Sequence, residues 1–173
     1  MLSREAILDH LPRLRRYARA LTGDRFAADD LVQDTVERAL SRWALLRPGS
    51  NPQVWLLTLM HNHFVNQKRS ARERLEQTTV DGILPELEVR SEQGDGLALQ
   101  DLAAALYCLS EEHRSVLLLV AVEEMTYEEC ARILGVPIGT VMSRLTRARQ
   151  KLARILAGEE SLDVKGVKLE VVK

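Results

Sequence analysis

Between residues 140 and 151 cations alternate with hydroxyls: Thr140, Ser143, Arg144, Arg147, Arg149 and Lys151, with Met142 among them. Guanidinium groups bind phosphate oxygens and guanine edges in bidentate fashion, and hydroxyls hydrogen-bond to either. No Asp or Glu stands between Cys130 and Gly158, so nothing in this stretch repels a phosphate. The chemistry these types allow is non-covalent recognition of nucleic acid. A cationic run alone is by default a solvated helix face. What lifts this one above the default is the frame around it.

The frame reads as a helix-turn-helix over Met125 to Leu156. Thr126 and Glu129 form a Thr-x-x-Glu capping box at the start of the first helix. Gly135 suits the left-handed residue that ends it, and Pro137 suits the first turn of the next. Two helices joined by a short Gly-containing turn are the geometry that lays a second helix in the major groove. On that helix Val141, Leu145, Ala148, Leu152 and Leu156 recur on one apolar face. At about 100° per residue, Thr140, Arg144, Arg147, Lys151 and Arg154 fall on an adjoining flank, with Ser143 just beyond.

A second polar set lies upstream. The loop Leu46 to Asn51 is rich in turn formers, and Asn51 with Pro52 opens a helix that continues to about Glu76. Trp55, Leu56, Leu59, Met60 and Phe64 are its expected core side. Asn62, Asn66 and Arg69 repeat at helical spacing on a polar stripe that runs into further cations at Lys68 and Arg72. Amides that pair with bases, followed by cations for the backbone, suit a nucleic-acid groove. His61 and His63 are two residues apart and point away from each other on a helix, so they do not make a metal pair. His10 and His113 stand alone and read as surface residues. The chain has no Ser/His/Asp or Cys/His set at a recognisable spacing and no Gly-rich phosphate loop. No catalytic residue, metal or cofactor is therefore expected.

The remaining segments position these two sets. Ser3 is expected to cap a short helix, Arg4 to His10, and Pro12 to start a second one ending at Leu21. A helix from Phe26 to Trp43 would bury Leu31, Val32, Thr35, Val36, Ala39 and Leu40. Its other side carries Asp29, Asp30, Gln33, Asp34 and Glu37, a solvated face or a docking surface. Helices are also expected over Leu97 to Leu109 and from Ser110, which caps Glu111, Glu112 and the apolar run Val116 to Val122. The tail from Ser161 has a weak strand-like Val/Lys alternation.

Length and charge set the scale. The 173 residues allow one domain or two small ones, and the Leu, Ala, Arg and Glu content without strand alternation favours an all-α protein. A net charge of −1 hides blocks. Residues 1–76 carry thirteen Lys/Arg against nine Asp/Glu, whereas 77–101 carry one against six. An acidic linker of this composition would be flexible and separate two helical domains. Cys108 and Cys130 have no partner motif and read as buried reduced thiols. No apolar run approaches the ~20 residues needed to cross a bilayer, and a cytoplasmic protein is expected.

Taken in order, these stretches resemble the extracytoplasmic-function group of sigma-70-type RNA polymerase sigma factors. The resemblance spans roughly residues 5 to 156. It is carried by Leu14 to Leu21 leading into Ala28 to Asp34, by Trp55 to Asn66, by Leu109-Ser110-Glu111-Glu112-His113-Arg114, and by Tyr127 to Arg149. It implies a sigma-2-like helical domain at 1–76, a linker at 77–97, a sigma-4-like helix-turn-helix domain at 98–157, and a tail at 158–173 without assigned role. It also implies three surfaces. Asp30, Leu31, Gln33 and Asp34 would dock on the clamp helices of the polymerase largest subunit. Arg47, Ser50, Asn51, Trp55, Asn62, Asn66 and Arg69 would hold unstacked bases of the promoter minus-ten element. Thr140, Met142, Ser143, Arg144, Arg147, Arg149 and Lys151 would read the minus-thirty-five element. Met142 departs from the basic or polar residue that relatives often carry. The partners implied are RNA polymerase core, through clamp helices and flap, promoter DNA, and an anti-sigma factor, with no membrane insertion. Two other readings compete: a stand-alone helix-turn-helix regulator using only residues 102–157, and a sigma mimic that titrates another protein.

Overall fold

The computed structural model describes residues 5–47, 49–77, 96–159, 163–164 and 167–168. It divides into two compact units, Met1–Glu88 with Arg132–Gly135 and Val89–Ala131 with Val136–Lys173. The helical organisation matches the all-α expectation. The flexible linker expected at 77–97 falls almost wholly outside the described residues.

The first unit is built on three helices, α1 (Glu5–Thr22), α2 (Arg25–Arg42) and α3 (Pro52–Gln77), with a 3-10 turn at Trp43–Leu45. Each helix packs on the other two. Two helices were expected where α1 is one, because Pro12 sits inside it. An interior proline costs about 3 kcal/mol, since it removes a bond to residue i−4. Here i−4 is Leu8, which is exposed, so water can meet the released carbonyl. On the opposite face Ile7, Leu14, Tyr17, Ala18 and Leu21 are all buried. Their combined burial, about 1.5–3 kcal/mol for each large side chain, outweighs the local cost. The Ser3 cap lies outside the described residues.

Asp24 starts α2 by accepting from the Ala27 amide at 2.6 Å. Ala28, Leu31, Val32, Thr35 and Ala39 are buried, with the Thr35 hydroxyl donating to the Leu31 carbonyl. Leu40, expected in the core, is exposed. In α3 the buried face is Val54, Leu56, Leu57, Met60 and Phe64, while Trp55 and Leu59 are only half-buried. His61 and His63 are also buried.

The second unit contains α4 (Gly96–Tyr107), α5 (Glu111–Ala121), the start of α6 (Tyr127–Leu134) and α7 (Ile138–Leu156), followed by a minimal antiparallel hairpin, β1 (Asp163–Val164) with β2 (Val167–Lys168). Both α4 and α5 pack against α7. Ser110 caps α5 by accepting from the His113 amide, as its position predicts. The apolar stripe of α7 is Val141, Leu145, Ala148 and Ile155. It closes on Ile155, not Leu156, which is exposed. Cys108 and Cys130 are free thiols, and burial pushes the Cys130 thiol up to about 11. Among the described residues no group of His, Cys, Asp and Glu could hold a metal ion, and no helix is long and apolar enough to cross a membrane.

Candidate nucleic-acid interface

Local chemistry sets the helix-turn-helix. The Thr126 amide donates to Glu129 Oε2 at 2.9 Å, and the Glu129 amide donates to Thr126 Oγ1 at 3.2 Å. Both halves of the capping box are made, so two otherwise orphaned amides of α6 are satisfied. Gly135 adopts φ +65°, the left-handed conformation that favours glycine, and the Val136 amide returns to the Ala131 carbonyl. Pro137 lies one position before the expected first turn: it is the N-cap residue of α7. Cys130 and Ile133 of α6 and Val141 and Leu145 of α7 are buried, which fixes the inward face of each helix.

The outer surface of α7 then presents Met142, Ser143, Thr146, Arg147, Arg149 and Arg154 to solvent. Thr140 and Lys151 are half-buried beside them. Arg144 is not simply solvated. Its Nη2 lies 3.0 Å from Glu112 Oε1 on the first turn of α5. His113 shares this neighbourhood: burial holds its pKa below the ordinary value, with Glu112 opposing and Lys151, Arg144 and Arg147 adding to the depression. Sequence reasoning treated His113 as an isolated surface residue. The missing signal is tertiary, because α5 and α7 meet at residues more than thirty apart.

Arg114 closes the Leu109-to-Arg114 stretch, and the structure gives it a role. It is 8% exposed. Its Nε donates to the Leu106 carbonyl at 3.0 Å, and its Nη2 donates to Tyr107 and Leu109 at 3.3 and 3.1 Å. The guanidinium also lies 4.6 Å from the Tyr107 ring centre. One buried cation thus satisfies the last carbonyls of α4 and fixes the corner from which α5 carries Glu112 and His113.

The first unit carries the second polar set on α3. Asn51 starts the helix, its Oδ1 accepting from the Gln53 amide at 3.0 Å. The preceding loop closes with the Ser50 amide on the Arg47 carbonyl at 3.1 Å. Trp55 packs edge-to-face on Trp43, ring centres 6.0 Å apart, which joins the end of α2 to the start of α3 across the loop. Trp43 is a further residue that sequence alone does not single out, because its partner lies across the loop. Asn62, Asn66 and Arg69 are exposed, and with Trp55 they fall within an arc of about 60°. Asn51 to Asn66 spans about 22 Å of helix, so these groups form a track rather than one pocket. Arg69 pairs with Glu73 at 3.0 Å on the same face.

The acidic side of α2 is divided. Asp30 and Gln33 are exposed, Gln33 donating to Glu37. Asp34 contacts the buried His63 at 2.6 Å, with Gln67 also on that nitrogen at 2.9 Å. Leu31 is 0% exposed and belongs to the core, so it offers no surface for docking as expected from the motif. The histidine whose role was left open thus anchors one of the expected docking carboxylates.

Comparison with known proteins follows the same division. The family described as "Sigma2 domain of PhyR" matches residues 7–61, and "Sigma-70, region 4" matches residues 99–152. The "ECF RNA polymerase sigma factor EcfG" of Rhodopseudomonas palustris is 38% identical over 154 residues, covering 88% of this chain and 84% of that one. "ECF RNA polymerase sigma factor SigL" of Mycobacterium tuberculosis is 35% identical over 146 residues, covering 83% and 82%. Among solved structures, the sigma factor RpoE from Bartonella quintana, crystallised in complex with the anti-sigma factor NepR, aligns with a TM-score of 0.76 and 32% identity over 90% of this chain and 97% of that one.

Proposed function

This chain belongs to the extracytoplasmic-function RNA polymerase sigma factors, and from that premise we propose how its two lobes divide the work. As a sigma factor it directs core polymerase to specific promoters. Residues 98–157 anchor duplex DNA at the minus-thirty-five element through Thr140, Ser143, Arg144, Arg147, Arg149 and Lys151. Residues 1–76 hold unstacked minus-ten bases along the track of Arg47, Ser50, Asn51, Trp55, Asn62, Asn66 and Arg69. Asp30, Gln33 and Asp34 dock on polymerase, with residues 77–97 as connector. The flap of polymerase receives the second lobe.

The observation that carries this reading is the outer face of α7: exposed Ser143, Arg147 and Arg149 on a capped helix-turn-helix, with no carboxylate between residues 131 and 158. A mimic that only titrates a regulator has no need of that face. Promoter opening needs no covalent chemistry from the factor. It needs a surface on which unstacked bases cost less, against a few kcal/mol, and a duplex anchor that holds register. The factor therefore acts without enzymatic activity of its own, in the cytoplasm where polymerase and chromosome are. The relative in complex with an anti-sigma factor supports the same kind of partner here.

The test is reconstitution with purified core polymerase. The chain should associate with core and direct start sites that core alone does not use. Arg144→Ala and Arg147→Ala should each cost about 1–3 kcal/mol in duplex binding by the holoenzyme. A chain that binds promoter duplex but never core would be a stand-alone regulator. One that binds core yet loses nothing in either variant would be a mimic.

A further inference from the structure

The first two turns of α7 carry two exposed apolar side chains, and a third, Leu156, lies at the far end of the helix. Ile138 is 41% exposed and Met142 is 51% exposed. Four residues apart, they are neighbours on one flank, about 140–180° around the helix from Arg147. Thr146 and Arg149 continue that flank, and both are exposed. Arg149 stands about 10 Å further along the axis than Met142. This flank therefore has an apolar tip with a cation two turns behind it. It fits a major groove, where the N-terminal turns of a reading helix face base edges and later turns meet phosphate. The apolar feature of the base edges there is the thymine C5-methyl group. Met142 has no donor for the N7 of guanine or adenine and only a weak sulfur acceptor, and its flexible thioether adapts to a methyl surface.

We propose that Met142, flanked by Ile138, is a specificity-determining residue that reads a thymine methyl in the minus-thirty-five element. The inference rests on the duplex-reading role given to α7 above. It replaces the polar reading expected at this helix position with an apolar one.

The test uses holoenzyme reconstituted from core polymerase and this chain. Promoter duplexes are selected from a library randomised over the upstream element, and each selected thymine is then replaced singly by deoxyuridine, which removes only the methyl. With the native chain one such replacement should weaken binding about four-fold, the effect of one apolar methyl taken out of water. Met142→Ala, at an exposed position, should bind thymine and uracil forms equally while still associating with core. Arg147→Ala, on another side of the helix, should weaken both forms alike and keep their ratio. Equal binding of both forms by the native chain overturns the proposal, as does a selected element without thymine or an unchanged ratio in Met142→Ala. Loss of core or protein-partner binding in Met142→Ala with the ratio intact also overturns it, making Met142 a protein contact. If Arg147→Ala loses nothing, the duplex-reading role itself fails, a distinct result.

Discussion

Arg114→Ala removes a buried guanidinium that serves three carbonyls and one aromatic ring. Hydrogen bonds with a charged donor contribute about 1.5–3 kcal/mol each at best, and an ordinary net bond about 1. The contact with the Tyr107 face adds about 1 kcal/mol. Against these stands the desolvation of the guanidinium, which the variant no longer bears. Taking about 1 kcal/mol for each carbonyl, and letting the ring contact offset the desolvation, the net loss comes to about 3 kcal/mol. The second lobe has a described body of some 64 residues, from 96 to 159. At roughly 0.05–0.15 kcal/mol per residue its whole stability is about 3–10 kcal/mol. The variant should therefore lower the urea midpoint of this lobe by about 2–3 M, with a slope near 1 kcal/mol per M. Hydrogen exchange on the full chain under graded urea would assign the loss to α4, α5 and α7 while α1 to α3 keep their protection. Arg114→Lys should recover less than half, because a single ammonium cannot reproduce the planar fork that reaches Leu106, Tyr107 and Leu109 together. A loss under 1 kcal/mol in Arg114→Ala, or full recovery by lysine, would refute the reasoning.

Asn62→Ala with Asn66→Ala should leave duplex affinity and core binding intact yet impair promoter opening, read by permanganate reactivity of unpaired thymines. Glu112→Gln should raise duplex affinity up to about five-fold when Arg144 is present and leave it unchanged in Arg144→Ala, since an exposed ion pair is worth at most about 1 kcal/mol. Thr126→Ala should cost about 1 kcal/mol of stability in the second lobe through loss of the cap, measured by the same urea titration. For His113 the folded pKa lies below the ordinary 6.5, so the unfolded chain binds more protons around that pH. Stability is then lost as pH falls through 6.5, and His113→Gln should flatten part of the decline in midpoint between pH 7 and 5.5. Cys130, with its thiol up at about 11, should resist alkylation at pH 8 until the second lobe unfolds.

What was legible in the sequence is what a few neighbouring residues decide among themselves. The Thr126–Glu129 box, the Asn51 and Ser110 caps and the Gly135 turn are bonds between residues one to five apart, and they stand where expected. The exposed track of Asn62, Asn66 and Arg69 follows from helical period alone. Three kinds of feature escaped. One is long-range pairing: Asp34 with His63, Arg144 with Glu112 and Trp43 with Trp55 join residues that only packing brings together. Another is tertiary override of a local rule, as at Pro12, where the buried face of α1 outweighs the missing amide. The last is the assignment of a motif residue to surface or core. Leu31 sits between exposed Asp30 and buried Val32, and spacing alone does not say on which side of that boundary it falls.

Ion pairs on the two proposed DNA surfaces bear on how those surfaces would depend on polymerase. Two of the cations assigned to DNA already hold carboxylates, Arg144 with Glu112 and Arg69 with Glu73. Each surface pair is worth about 0–1 kcal/mol, so it biases the cation without locking it. A phosphate must displace the carboxylate, or share the guanidinium with it, and that lowers the gain from any single contact. The net charge of −1 acts in the same direction, since it gives no long-range attraction to DNA as a whole. Genomes offer about 10⁶–10⁹ competing sites, so weak non-specific binding is an advantage for a specificity subunit. Two such tempered surfaces become effective only when a common platform presents them to one promoter, turning the second contact into an intramolecular event. On this account the carboxylates beside the reading residues are part of specificity. Removing Glu112 and Glu73 together should yield a chain that binds random DNA more tightly and discriminates its promoter less.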